Sequence, residues 1–205
     1  SIDVIGDTTG DEVSVVLSPA GGRFEVLRDN DDLLVRIEGG AELFRAVADS
    51  VSLLTVTGSA AAETVTVLNA GTAVVTPLNL KGGGGADRLD AAAAAGRVSL
   101  DGGAGKDTLV EGLNVDVLSG GDGTDTLVAT VRPNEDLTLS DGQLQNGTTN
   151  TVLSIEQAVI NGDGTDNFIV LIDFTGATTV LAGAGDDTVL GSKGPDSIEG
   201  GDGLD

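Results

Sequence analysis

The sequence predicts an all-β chain wound as a parallel β-solenoid, and three observations predict it. A nine-residue pattern, G-G-x-G-x-D-x-U-x with U a large aliphatic, recurs along the chain. The 205 residues include 32 Gly and only four aromatic side chains, all Phe, so the interior must be narrow and lined by Ala, Val, Leu and Ile. Ten basic residues face 33 acidic ones, a formal charge of −23 that would push a compact fold apart without bound counter-charge.

The pattern is complete at 82–90 (GGGGADRLD), 102–110 (GGAGKDTLV) and 120–128 (GGDGTDTLV). It continues at 161–169 (NGDGTDNFI), 182–190 (AGAGDDTVL) and 191–199 (GSKGPDSIE), and a last copy, GGDGLD, begins at Gly200. Starts at 82, 102 and 120, and again at 161, 182 and 200, give a rung of about two nonapeptides. The gap from 120 to 161 reads as two rungs with a degraded motif between them, which begins near Asp141 and places Asn150 where an Asp belongs.

Each rung should contribute aliphatic residues of one parity to the interior. Two residues before the motif starts these are Val56, Leu80, Leu100, Leu118, Leu139, Val159, Val180 and Ile198. At the eighth positions they are Val65, Leu89, Leu109, Leu127, Val152, Phe168, Val189 and Ile198. Neighbouring rungs must cover one another, because none buries its face alone.

Upstream, 58–66 and 6–14 read as decayed motifs with Glu63 and Asp11 in the acid position. The segments RFEVLRD, DLLVRIEGG and AELFRAV, separated by turn residues, predict short alternating strands. Residues 1–57 are thus expected to form a hairpin-rich cap or insertion, and 58–205 the repeat array proper. Ser1 and Asp205 read as trimmed edges of something longer.

These motifs resemble the haemolysin-type calcium-binding repeats of RTX proteins. The resemblance implies a right-handed parallel β-roll or β-helix, export from a Gram-negative-type cell, and folding on extracellular calcium. It also implies that each ion is clamped between turns one rung apart, with an Asp and two carbonyls from each. Calcium takes six to eight oxygens from carboxylates and carbonyls, and glycine turns present both.

The candidate ligands are the side chains of Asp87, Asp107, Asp125, Asp166, Asp187, Asp196 and Asp205. With them go the turn positions Gly82 and Gly84, Gly102 and Ala104, Gly120 and Asp122, Gly183 and Gly185, and Gly200. The expected pairs are Asp87 with Asp107, Asp107 with Asp125, Asp166 with Asp187, and Asp187 with Asp205, while Asp196 faces the other side. The carboxylates of Asp122, Asp163, Asp186 and Asp202 supply local negative potential. Asp11, Glu63 and Asn150 read as turns closed by side-chain hydrogen bonds without metal.

Composition excludes much else. His and Cys are absent, which removes Ser-His-Asp and Cys-His machinery, disulfides and the usual zinc ligands. Nucleic acid and anionic membrane surfaces would be repelled, and no apolar run is long enough to insert. The segment 102–108 lacks phosphate-loop spacing, and Asn146-Gly147-Thr148 reads as a turn.

The expected role is therefore non-enzymatic: a calcium-binding structural module of a secreted or cell-surface bacterial protein, such as an adhesin, surface-layer or filament element. Its partners would be calcium and copies of itself or other surface proteins and glycans. The alternative is a secretion and folding-assist region of an exported enzyme or toxin. An outward Thr ladder through Thr64, Thr108, Thr126 and Thr188 would suit an ice- or glycan-binding face.

Overall fold

The computed structural model describes residues 3–5, 11–17, 21–114 and 116–205. Among them the regular structure is all β apart from one 3-10 turn at Ala48–Ser50. Most of the decayed motif expected at 6–14 lies outside the described residues; its last part is in a strand.

The chain opens with β1 (Asp3–Ile5) and β2 (Asp11–Val16), which pair antiparallel. Then β3 (Gly22–Asp29), β4 (Asp32–Ile37) and β5 (Glu42–Val47) form an antiparallel meander, the hairpin-rich element that the turn residues predicted. Its first strand is not separate from the rest, since β3 pairs in parallel with a later strand of the array.

From β6 (Val51–Thr57) onward the chain alternates between two sheets. The first sheet takes β6, β8 (Leu78–Gly85), β10 (Val98–Gly105) and β12 (Val117–Gly123). The second takes β7 (Glu63–Leu68), β9 (Arg88–Asp90), β11 (Thr108–Val110) and β13 (Thr126–Thr130). All these neighbours pair in parallel, and β2 and β3 extend the two sheets at the amino-terminal end.

An excursion follows. Strands β14 (Leu137–Ser140), β15 (Gln143–Asn146) and β16 (Thr148–Leu153) form an antiparallel meander with β15 in the middle, and all lie in the first sheet, between β12 and β18. Alternation then resumes with β17 (Gln157–Asn161), β18 (Phe168–Asp173), β19 (Ala177–Ala184), β20 (Thr188–Leu190) and β21 (Asp196–Asp202). The first sheet therefore has three strands between β12 and β18, where the second has only β17 between β13 and β19.

Register explains why this composition suffices for a core. In the first sheet Val15, Val56, Leu80, Leu100, Leu118 and Val152 stack on one another, and all are fully buried. In the second, Phe24, Val65, Leu89, Leu109, Leu127 and Ala158 do the same. Both ladders belong to one hydrophobic cluster, so branched aliphatics fill the space without large aromatics.

Three sequence expectations fail here, the first at Ile198, which was expected to face inward and is 48% exposed. Val159 is only half-buried and Phe168 is 42% exposed, while Ile160 and Ile169, one residue further on, are fully buried. The motif read at 161 therefore begins at Gly162. The gap from 120 also does not carry the motifs along one edge. The turns at 82–87, 102–107 and 120–125 lead from the first sheet to the second, whereas those at 162–167 and 182–187 lead back from the second to the first. Each rung has a turn on both edges, so spacing alone could not distinguish them.

Candidate calcium-binding turns

Each complete motif ends β8, β10 or β12, turns through its glycines, and enters the next strand just after its Asp. The first-position glycine is required by contact: a Cβ on Gly82 would collide with the Asp87 carboxylate and the Gly102 carbonyl. Gly102 stands likewise against Asp107 and the Gly120 carbonyl, and Gly120 against Asp125 and the Ser154 carbonyl. Carboxylate and next-rung carbonyl thus converge beside each of these glycines.

The sixth-position acids form a ladder. Asp87 Oδ1 accepts the Glu63 amide at 2.7 Å, Asp107 Oδ1 the Asp87 amide at 2.8 Å, and Asp125 Oδ1 the Asp107 amide at 2.8 Å. Glu156, not anticipated from sequence, continues the ladder by accepting the Asp125 amide at 2.9 Å. On the opposite edge Asp187 Oδ1 accepts the Asn167 amide at 2.8 Å, and Asp205 Oδ1 the Asp187 amide at 3.1 Å.

One oxygen of each inner acid has nothing. The Oδ2 atoms of Asp87, Asp107, Asp125 and Asp187 are buried without a hydrogen-bond partner. Such an orphaned oxygen is costly unless a donor or cation meets it. Burial, helped by the Asp107 and Glu63 charges and opposed by the Glu63 amide, pushes the Asp87 carboxyl up to about 6. Burial likewise raises Asp107 and Asp125, with neighbouring carboxylates adding to it.

Among the described residues no three acidic side chains converge. An ion of six or more oxygen ligands would therefore draw most of them from backbone carbonyls. Glycine-rich turns whose backbones stack rung on rung at Gly83, Gly103 and Gly121 can supply these. The residues present fit a hard divalent cation.

Asp166 requires correction. Asn167, not Asp166, occupies the sixth position of its turn: its side chain folds toward Gly162, and Phe168 and Ile169 pair with Thr188 and Val189. Asp166 is exposed and accepts the Asp186 amide at 2.8 Å, so its expected pairing with Asp187 falls to Asn167 instead. The buried parity of Ile160 and Ile169 was the sequence clue that would have set this register.

Asp196 and Asp205 are exposed, as is Asp122, whose side chain lies outside the ladder. Asp196 accepts from the Ser192 amide and hydroxyl and from Thr178. Of the turn residues read from the sequence, Gly82 and Gly84 lie in β8, Gly102 and Ala104 in β10, Gly120 in β12, Gly183 in β19 and Gly200 in β21, while Gly185 directly follows β19.

A separate buried network lies on the second-to-first edge. Glu111, only 6% exposed, accepts from Asn146 and from Asn150 Nδ2 at 3.2 Å, with Arg132 at 3.9 Å. Asn150 Oδ1 accepts the Asp116 amide at 2.9 Å, and Asp116 Oδ1 the Val98 amide at 3.0 Å. Burial pushes Glu111 up to about 7 against these donors. The segment read as a degraded motif is therefore a hairpin that supplies amides to a neighbouring rung.

Stacked glycine turns, each presenting a half-satisfied buried carboxylate, define a cation-binding repeat array. The family of the RTX calcium-binding nonapeptide repeat (4 copies) matches residues 81–113, 115–130 and 175–205. The chain carries RTX calcium-binding nonapeptide repeats, and these repeats bind calcium. The match passes over 131–174, the excursion and the register-shifted turn. No curated protein matches the chain.

Proposed function

We propose that this chain is a calcium-stiffened structural module of a secreted or cell-surface protein, wound as a right-handed parallel β-solenoid. The observation that carries the reading is the set of four buried, partnerless Asp oxygens, each beside a glycine turn. The expected ligands are the side chains of Asp87, Asp107, Asp125, Asp187 and Asp205 with carbonyls of the turns around them. Repeats of this family are structural calcium-binding modules rather than catalytic ones.

Free calcium acts as the switch. At low concentration 22 acidic residues against six basic ones in 58–205 repel one another, and the chain stays extended. Millimolar calcium outside a cell neutralises the turns and couples binding to folding. Residues 1–57 then serve as the cap of the array, with its meander closing one end of the second sheet. The glycan-face reading loses support, because Arg88 interrupts the row Thr64, Thr108, Thr126, and Thr188 is in the other sheet.

Far-UV circular dichroism through a calcium titration from chelator tests the proposal. A cooperative gain of β signal with calcium, not reproduced by magnesium, is the expected result. Full structure in chelator would refute the switch.

A further inference from the structure

We infer that a turn takes an ion only where its second residue is a glycine in a left-handed backbone, and that the ions lie in two separate groups on opposite edges of the array. The inference rests on the calcium reading above and adds which turns are silent.

The turns fall into two kinds. In 82–87, 102–107, 120–125 and 182–187 the second residue is Gly83, Gly103, Gly121 or Gly183, with φ of +101°, +98°, +102° and +110°. These are the four turns whose acid keeps a buried Oδ2 without a partner. The turn at 200–205 shares the geometry, with Gly201 at +114°.

In the other kind the second residue donates its own amide to the sixth-position side chain. Ser59 bonds Glu63 at 3.0 Å, Gly112 bonds Asp116 at 2.9 Å, Asp163 bonds Asn167 at 3.0 Å, and Ser192 bonds Asp196 at 3.0 Å. None of these four has a left-handed backbone. Their amides occupy the oxygen lobe that an ion would need, so the turn is closed on itself.

The physical choice is simple. A φ near +100° is open to glycine and strongly disfavoured for serine or aspartate. A Cβ there would also strike the preceding rung, as at Gly103 against the Gly83 carbonyl. Ser59, Asp163 and Ser192 therefore hold their turns shut. Gly112 shows that glycine at this position permits opening without forcing it, since its turn begins with Glu111, whose carboxylate is engaged by Asn146 and Asn150.

The closed turns are placed alike on the two edges. The 58–63 turn stacks directly before the first open one, and its Glu63 amide caps Asp87. The 162–167 turn stacks directly before 182–187, and its Asn167 amide caps Asp187. Each ion group thus starts on an ion-free rung. One ion belongs between 82–87 and 102–107, one between 102–107 and 120–125, and one between 182–187 and 200–205.

The test counts calcium ions bound per full chain by native mass spectrometry, with circular dichroism to confirm folding. Ala61→Gly/Glu63→Asp completes the first turn except at its second position, and should leave the wild-type count unchanged. Adding Ser59→Gly should raise the count by one ion. On the opposite edge, Thr165→Gly/Asn167→Asp without and then with Asp163→Gly reads the same step in a second turn. An extra ion in either double variant, or no gain in both folded triple variants, overturns the inference. A wild-type chain that binds no calcium would instead overturn the calcium reading on which it rests.

Discussion

The meander at 22–47 and the glycine turns at 82–125 solve the same problem of charge in opposite ways. In the meander, acids are matched by guanidinium groups: Arg36 with Glu25 at 2.5 Å, Arg45 with Asp32 and Glu42 at 2.6 Å each. In the turns, Asp87, Asp107 and Asp125 stack on one another with no basic side chain among their hydrogen-bond partners. Four of the ten basic residues lie in the first 57. One region carries its counter-charge in its own sequence and the other does not, so on the proposed reading only the second is switched by an ion.

The largest expected effect separates the two directly. Chelating calcium should lower hydrogen-exchange protection of the amides in 82–128 by more than about tenfold and change those in 24–46 far less, since binding and folding are linked only where the ion binds. Equal loss in both regions would make them one cooperative unit.

Next comes the shared core. Leu109→Ala removes a fully buried side chain stacked between Leu89 and Leu127, and should cost about 2–5 kcal/mol in denaturant unfolding with calcium bound. Asp107→Ala strands the Asp87 amide and removes an acid that two of the proposed ion sites share, which should cost about 3 kcal/mol. Asp196→Ala, at an exposed and self-closed turn, should cost clearly less. Equal losses at Asp107 and Asp196 would count against stacked sites.

A smaller effect is readable in pH. Glu111 titrates at about 7 when folded, above the ~4.3 of an unfolded glutamate. A raised folded value means folding favours the protonated form. That contribution is complete below pH ~4.3 and lost as pH rises through about 7. Stability should therefore decline by on the order of 1–3 kcal/mol across this window, and Glu111→Gln should flatten the decline. Smallest of all, Arg36→Ala should cost below about 1 kcal/mol, because its partly exposed ion pair is screened.

Much of this was legible in the residues. Three unbroken motifs fixed the rung length, the ladder of Leu80, Leu100 and Leu118, and the acids at Asp87, Asp107 and Asp125. The turn residues around 29–31 and 39–40 marked the meander. The slip at 161 came from following glycine spacing: Gly164 and Asp166 suit the fourth and sixth positions of a motif starting at Asn161. Burial overruled that spacing, since the shifted register hides Ile160 and Ile169 and leaves Val159 and Phe168 outward. The edge on which a motif lies was not legible, because a nonapeptide count is identical for both edges. Nor was the 143–153 hairpin, whose buried Asn146 and Asn150 are stabilised by contacts with Glu111 far away in sequence.

The unequal strand count of the two sheets has a mechanical consequence. Between β12 and β18 the first sheet carries two more strands than the second does between β13 and β19, which at ~4.8 Å per strand makes it ~10 Å longer over that stretch. Two sheets sharing one interior must absorb that difference by curvature or by a break in register, and a register shift between Thr138 and Ser140 falls within this stretch. Open turns lie on both sides of the excursion and none within it, so calcium bound as proposed would brace the rungs before and after it and leave the excursion itself to protein packing alone.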